Sequence, residues 1–391
     1  MQPLTSSVSK TVYLDHNATT PLRPEVREAM ANAFDCFGNP SSVHRFGRAA
    51  RALVEDAREA VASLINADPS EILFTSGGTE AAAVALHQLP ADALPLASRI
   101  EHPAVRDNFP PERQAAVTWL PAGADGAIDL DRLADVLAND TSSRPVFLAL
   151  MLANNESGVI QPVVAARTML EESGRHHLIF TDAVQAVGKI PVDVRTLGID
   201  YLSLSAHKIG GPKGVGALYV RADAPFRSLW RGGGQERRMR PGTENVLGIV
   251  GLGAAARAVV AQQAQESRRL ARLREKMEKA LKAIRPDLVI LGERAPRVPN
   301  TTLFAVPGTK AEVLVMRFDL AGIAVSTGAA CSSGRTEPSH VVAAMTDDPA
   351  IREAAVRVSL GWSTTEEDIT RFLAVAGDIL VPSRATSPAL P

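Results

Sequence analysis

The chain has 391 residues, 46% of them hydrophobic, and a formal net charge of −1. That length accommodates a large and a smaller domain with separate cores, and the near-zero charge gives no electrostatic reason to expect nucleic acid or a membrane surface as a partner. The two cysteines, Cys36 and Cys331, exclude a disulfide framework and fit a reducing, cytoplasmic setting. MQPLTSSVSK reads as no secretory leader, and no apolar run reaches the roughly 18 residues of a membrane span.

Taken in chain order, ILFT (72–75), VFLALM (146–151), LIFTD (178–182), YLSLS (201–205) and GALYV (216–220) are short apolar runs. Gly, Pro, Asn or polar clusters bound them, as they bound buried strands, and helical patterns lie between. The expected architecture is α/β, with a mostly parallel sheet covered by helices. A long helix is expected over 245–284, with Leu270, Leu273, Met277, Leu281 and Ile284 on one stripe and Pro286 ending it. TTLFAV (301–306), IAVS (323–326) and VRVSL (356–360) then suggest a smaller α+β domain. The expected boundaries are 12–260 and 261–382, with segment 1–11 packed near the second unit. Cys36, between Phe34 and Phe37, is expected to be structural.

Polar residues cluster where the strands end, which is where open α/β sheets bind ligands. ILFT runs into SGGTE and a helical AAAVAL, an order that leaves free backbone N–H groups for an anion; an ordinary tight turn has the same order. Asp182 ends LIFTD and is followed by Gln185, and on its own such a carboxylate is more often a helix cap. YLSLS ends in Ser205, His207 and Lys208. A lysine just past a buried strand is partly desolvated, which favours the neutral amine, a nucleophile and base; a solvated loop lysine is the plainer alternative. An anion cradle, a strand-end Asp and a Ser-x-His-Lys together match what pyridoxal phosphate needs. No metal ligand set is expected.

These residues, with YLDHNATTPLRPEV (13–26), FGNPSSVHRFGR (37–48), EHPAV (101–105), NNESGVIQP (154–162), GGGQERRMRPGTENV (232–246) and STGAACSSGRTEPSHVVAAM (326–345), closely resemble the cysteine desulfurases. These are class V aminotransferases of the fold-type I pyridoxal-phosphate superfamily. The resemblance implies pyridoxal 5′-phosphate on Lys208, Asp182 against the ring nitrogen, Gln185 at the ring oxygen and His102 over the ring face. It implies Gly78, Thr79, Ser205 and His207 at the phosphate, joined by Thr243 from the second subunit of a homodimer. Asn155 and Arg357 would bind L-cysteine, Arg357 by its carboxylate, and Cys331 would take the sulfur as a persulfide. The cysteine-to-EPS spacing is that of the long-loop group, which implies transfer to an iron–sulfur scaffold or a tRNA-thiolation protein. The chain departs from the family at AAA (81–83), where Asn is common, and over 81–120, where a trimmed helix and strand are expected. A selenocysteine lyase or other β-lyase is the alternative on the same fold, and a silent sulfur-relay scaffold the alternative outside enzymology.

Overall fold

The computed structural model describes residues 11–328 and 339–381. Its main sheet has seven strands: β2 (Ile72–Thr75), β3 (Leu94–Ser98), β4 (Thr118–Leu120), β5 (Val146–Ala149), β6 (His177–Asp182), β7 (Tyr201–Ser205) and β8 (Gly216–Val220), in the order β2-β8-β7-β6-β5-β3-β4. β7, β6, β5, β3 and β4 run parallel, and β8 is antiparallel to both β7 and β2. Side chains alternate between faces. Val146, Leu148, Ile179, Leu202 and Leu204 enter one apolar cluster, while Phe147, Ala149, Leu178, Phe180 and Tyr201 enter the other. Both faces are therefore buried, and the strands read as unbroken apolar runs in the sequence.

β3 was hidden because LPLAS carries a proline. Leu94 N donates to Pro145 O, towards β5, so the nitrogen of Pro95 faces the opposite side. There β4 begins pairing only at Leu96, and no ladder bond is lost. The 81–120 region thus keeps a helix (Gly78–Leu86) and an interior strand.

Helix Val246–Ile284 joins two cores. Ile249, Leu252, Ala255 and Val259 pack under the main sheet, and Leu270, Leu273, Met277 and Leu281 pack in a second cluster with Phe304, Val356, Val358 and Phe372. One 18-residue window is apolar enough to cross a membrane, yet 61% of it is buried within the protein. Arg285 is extended ahead of Pro286, which stops the helix. The second cluster lies against an antiparallel sheet, β12-β13-β10-β9, made of β9 (Val289–Ile290), β10 (Thr301–Ala305), β12 (Ser326–Thr327) and β13 (Ala355–Ser359). IAVS is divided: β11 (Ile323–Ala324) leaves this sheet to pair in parallel with β1 (Val12–Tyr13). Val12 and Leu14, assigned by the sequence boundary to the first unit, therefore pack in the second core.

Cys36 departs from expectation. It is half-buried, and Phe34 and Phe37 are 68% and 78% exposed. The chain has just left helix Pro24–Ala33, so these neighbours in sequence point away from any core.

A buried ion pair anchors β2, the strand that delivers the Gly-Gly-Thr turn. Arg58 and Glu236, both with side chains 2% exposed, meet through two hydrogen bonds of 2.7 and 2.9 Å. Glu236 also accepts from Phe74 N at 2.9 Å, and Arg58 donates to Ile72 O at 2.8 Å. Glu236→Ala would remove the buried carboxylate that takes two of the Arg58 hydrogen bonds and leave the guanidinium only Ile72 O and the half-exposed Glu55, and a loss of about 3 kcal/mol is expected. Urea denaturation measures it; a cost below about 1 kcal/mol would mean that water reaches the pair.

Candidate active site

Beyond the carboxyl ends of β2, β6 and β7, a cavity of about 270 Å³ collects Gly78, Thr79, His102, Asn155, Asp182, Gln185, Ser205, His207, Lys208 and Arg357. Residues far apart in sequence meet because parallel strands all end on one edge. Thr243 is not among them. It is exposed, in a separate cleft with Arg240, Glu244 and Asn245. Cys331 lies outside the described residues.

One end of the cavity is an anion cradle. Helix Gly78–Leu86 starts from Gly77, which offers no capping side chain, so the first-turn N–H groups of Gly78 and Thr79 have no partner within the helix. A Cβ on Gly78 would sit 2.8 Å from Val184 Cγ2, so the position admits only glycine without a shift. Ser205 and His207 face the same end, and Lys213 borders an opening there that sequence reasoning missed. His207 Nδ1 lies 3.1 Å from Thr19 Oγ1.

Asp182 ends β6, where Oδ1 accepts from Val184 N and Ser203 Oγ, both at 3.0 Å. The cap reading is thus partly true, but it uses one oxygen. Among the described residues no donor reaches Oδ2. Lys208 follows β7 on the short turn Ala206–Lys208, and its Nζ donates to Ala18 O at 2.9 Å and to Asn17 O. Arg357 arrives from β13 in the other sheet. It is 2% exposed, with Nη2 on Asp15 Oδ1 at 2.8 Å and Nη1 on Asn155 O at 3.0 Å, while its buried Nε has no partner among the described residues.

The histidines are held neutral. His102 Nδ1 accepts from Ala104 N at 3.0 Å, which places the ring proton on Nε2. Burial and then the charge of Lys208 keep its pKa below the ordinary value, against the opposing pull of Asp182. Burial, then Lys208 and Lys213, bring His207 down to about 4.

The donor set fits a planar, phosphate-bearing group with a basic ring nitrogen. An uncapped helix start waits for an anion, an open carboxylate oxygen for a cation, and a lysine for a carbonyl carbon. Sequence reasoning missed Asn17, Ala18, Ser203 and Lys189. They sit in DHNATT, YLSLS and AVGK, but nothing in those strings says what they touch.

The aminotransferase class-V family model matches residues 12–372. A cysteine desulfurase of Cereibacter sphaeroides is 45% identical over 389 residues, covering 96% of this chain and 97% of that one. The cysteine desulfurase IscS of Dictyoglomus turgidum is 41% identical, with 97% of both chains covered. The solved NifS-like protein from Rickettsia africae superimposes with a TM-score of 0.86 at 33% identity, covering 94% of this chain and 99% of that one.

One consequence is open to titration. An unfolded imidazole takes up its proton near 6.5, whereas that of folded His207 does so only near 4. The unfolded state therefore binds more protons between these values, so the stabilisation is complete above 6.5 and is lost as pH falls towards 4. The His207 ring resonance, assigned by its loss in His207→Gln, is expected to titrate near 4 in the apoprotein; titration near 6.5 would contradict this environment.

Proposed function

The chain belongs to the class-V aminotransferase family and, within it, to the cysteine desulfurases, and from that premise we propose that it uses pyridoxal phosphate to move the sulfur of L-cysteine onto Cys331. The observation that carries the reading is the convergence of Lys208, Asp182, His102 and Arg357 on one cavity beside an uncapped helix start.

Gly78, Thr79, Ser205 and His207 would hold the phosphate, and Asp182 Oδ2 would hold the protonated ring nitrogen. Gln185 would meet the ring oxygen, and His102 the ring face. When bound, the group supplies an electron sink for the substrate α-carbon. Arg357 receives the substrate carboxylate, a task suited to a planar guanidinium, and Asn155 lines the same end. Its amide side chain makes no hydrogen bond among the described residues, so it is available to substrate. Lys208 Nζ would hold the cofactor through its carbonyl carbon, and the same amine is placed to take the substrate α-proton. His102, neutral with its proton on Nε2, is placed to hand a proton to substrate. The Cys331 thiolate attacks the substrate sulfur. The C–S bond breaks as an S–S bond forms, and the β-carbon, keeping the electron pair, takes a proton to become the methyl group of alanine. The Cys331 persulfide then passes its outer sulfur to an acceptor protein, of the iron–sulfur scaffold or tRNA-thiolation type, in the cytoplasm.

The proposed active unit is a homodimer. What supports it is the position of Thr243, exposed and outside its own chain's cavity, together with the exposed Phe34, Phe37 and Val43.

Two experiments test this. Cys331→Ser is expected to keep bound cofactor and its spectral response to cysteine, yet lose alanine formation by at least about a hundredfold, since a hydroxyl is a poor nucleophile towards sulfur. Undiminished alanine formation from cysteine would remove Cys331 as acceptor; turnover surviving for selenocysteine alone would favour the lyase alternative. Thr243→Ala is expected to weaken cofactor retention about tenfold, the loss of one hydrogen bond to a charged group. Sedimentation of the wild type as a fully loaded, active monomer would exclude the shared site.

A further inference from the structure

Lys189 is a buried lysine, 7% exposed, that the reaction above does not use. Its Nζ donates to Asn17 Oδ1 at 2.9 Å and to Gln185 Oε1, and no carboxylate pairs with it among the described residues. Burial, then the positive charges of Lys208 and Arg357, push its pKa well below the usual lysine value. Burying an amine in this way is costly, and an apolar side chain of the same length would not incur that cost. The sequence places Lys189 after Gly188, whose φ of +82° turns the chain; a Cβ there would lie 2.7 Å from Ile209 Cγ2.

The consequence of this donor is seen at Gln185. A glutamine amide can present either its oxygen or its nitrogen to a ligand, and only its surroundings decide which. Here Oε1 takes the Lys189 amine, and Nε2 gives one hydrogen to Asn17 O at 2.9 Å. Turning the amide over would set acceptor against acceptor at the main-chain oxygen of Asn17 and would take from Lys189 the oxygen it donates to. Asn17 cannot yield by rotating. Its Oδ1 also accepts from Asn300 Nδ2 at 3.1 Å, and its Nδ2 donates to Thr301 Oγ1 at 2.9 Å and Asn155 O at 3.1 Å. The second Nε2 hydrogen is what Gln185 has left to offer the cavity it lines.

We propose that Lys189 is a positioning residue that locks the Gln185 amide with its N–H towards the cavity, so that the site selects a ligand oxygen in its ionised, hydrogen-bond-accepting form. Resting on the pyridoxal-phosphate reading of the site, this assigns the selected atom as the ring oxygen of the cofactor. An N–H there stabilises the deprotonated oxygen, and the absorption of the lysine-linked cofactor reports that protonation state without any turnover.

The test compares wild type, Lys189→Met, Lys189→Gln and Gln185→Glu, each loaded with pyridoxal phosphate and scanned across neutral pH in the absence of cysteine. Lys189→Met is expected to move absorption towards the shorter-wavelength form with an un-ionised ring oxygen, and to release cofactor about tenfold faster. Lys189→Gln, whose amide still donates to Gln185 Oε1, is expected to restore the wild-type spectrum. Gln185→Glu keeps an acceptor for Lys189 but removes both N–H donors, the one to Asn17 O included, so the same spectral shift is expected. A folded Lys189→Met with the wild-type spectrum overturns the inference alone. If Lys189→Met does not fold, Gln185→Glu decides, and a wild-type spectrum there overturns it equally. A wild type that takes up no pyridoxal phosphate overturns the cofactor reading, and this inference with it.

Discussion

The side chain of Asn17 uses all of its hydrogen-bonding atoms, and the geometry of the site depends on it. From a turn ahead of the first helix it reaches Thr301 and Asn300 on one side and Asn155 and Lys189 on the other, while its main-chain oxygen receives Lys208 and Gln185. Its main-chain N–H goes to Ser359 Oγ at 2.9 Å. One buried residue thus joins the end of the main sheet to the antiparallel sheet that carries Arg357. A buried polar group left unpaired costs about 1–3 kcal/mol, and in a connected network the loss spreads to each partner. Polar satisfaction at Asn17 therefore helps to set the relative position of the two sheets, and with it the distance from Lys208 to Arg357.

Around this node the charges are arranged so that the cations outnumber their local partners. Lys208 and Arg357 line the cavity, opposed by Asp182 within it and by Asp15 behind Arg357, while His102 and His207 are kept neutral by burial and by neighbouring lysine. Such a site favours a ligand with several negative charges, and a carboxylate and a phosphate meet that requirement together. The same excess of positive charge opposes protonation of the histidines, so they can serve as hydrogen-bonding groups at neutral pH without adding to the repulsion. The buried acids Glu101 and Glu156 lie close by with their pKa values raised by burial, and each accepts a hydrogen bond, Glu101 from Met151 N and Glu156 from Ser339 Oγ.

Much of the fold was legible from the order of residues. Unbroken runs such as YLSLS and GALYV have the lengths of strands buried on both faces, and the stripe from Leu270 to Leu281 has a helical period; both patterns arise from the backbone's own repeat. LPLAS was illegible because its proline is tolerated for a reason found outside the segment: the neighbouring strand starts one residue later. IAVS looked like one strand, but two different sheets compete for it. Cys36 looked buried because its neighbours in sequence are aromatic, whereas burial depends on what packs against the segment from elsewhere.

The sequence by itself determined the chemistry and its polarity: a lysine and an aspartate at the ends of two strands, a glycine-initiated helix after an earlier one, and motifs specific enough to name the family. Those features are local, carried by a few consecutive residues and the period of the backbone. Only the tertiary structure decided that Asn17 closes the site across 172 residues to Lys189 and 342 to Ser359, that Ser203 holds Asp182, and that Lys189 holds Gln185. A hydrogen bond depends on position and direction to within a fraction of an ångström, and residues as far apart in the chain as Asn17 and Ser359 acquire that relation only once the two cores are packed together.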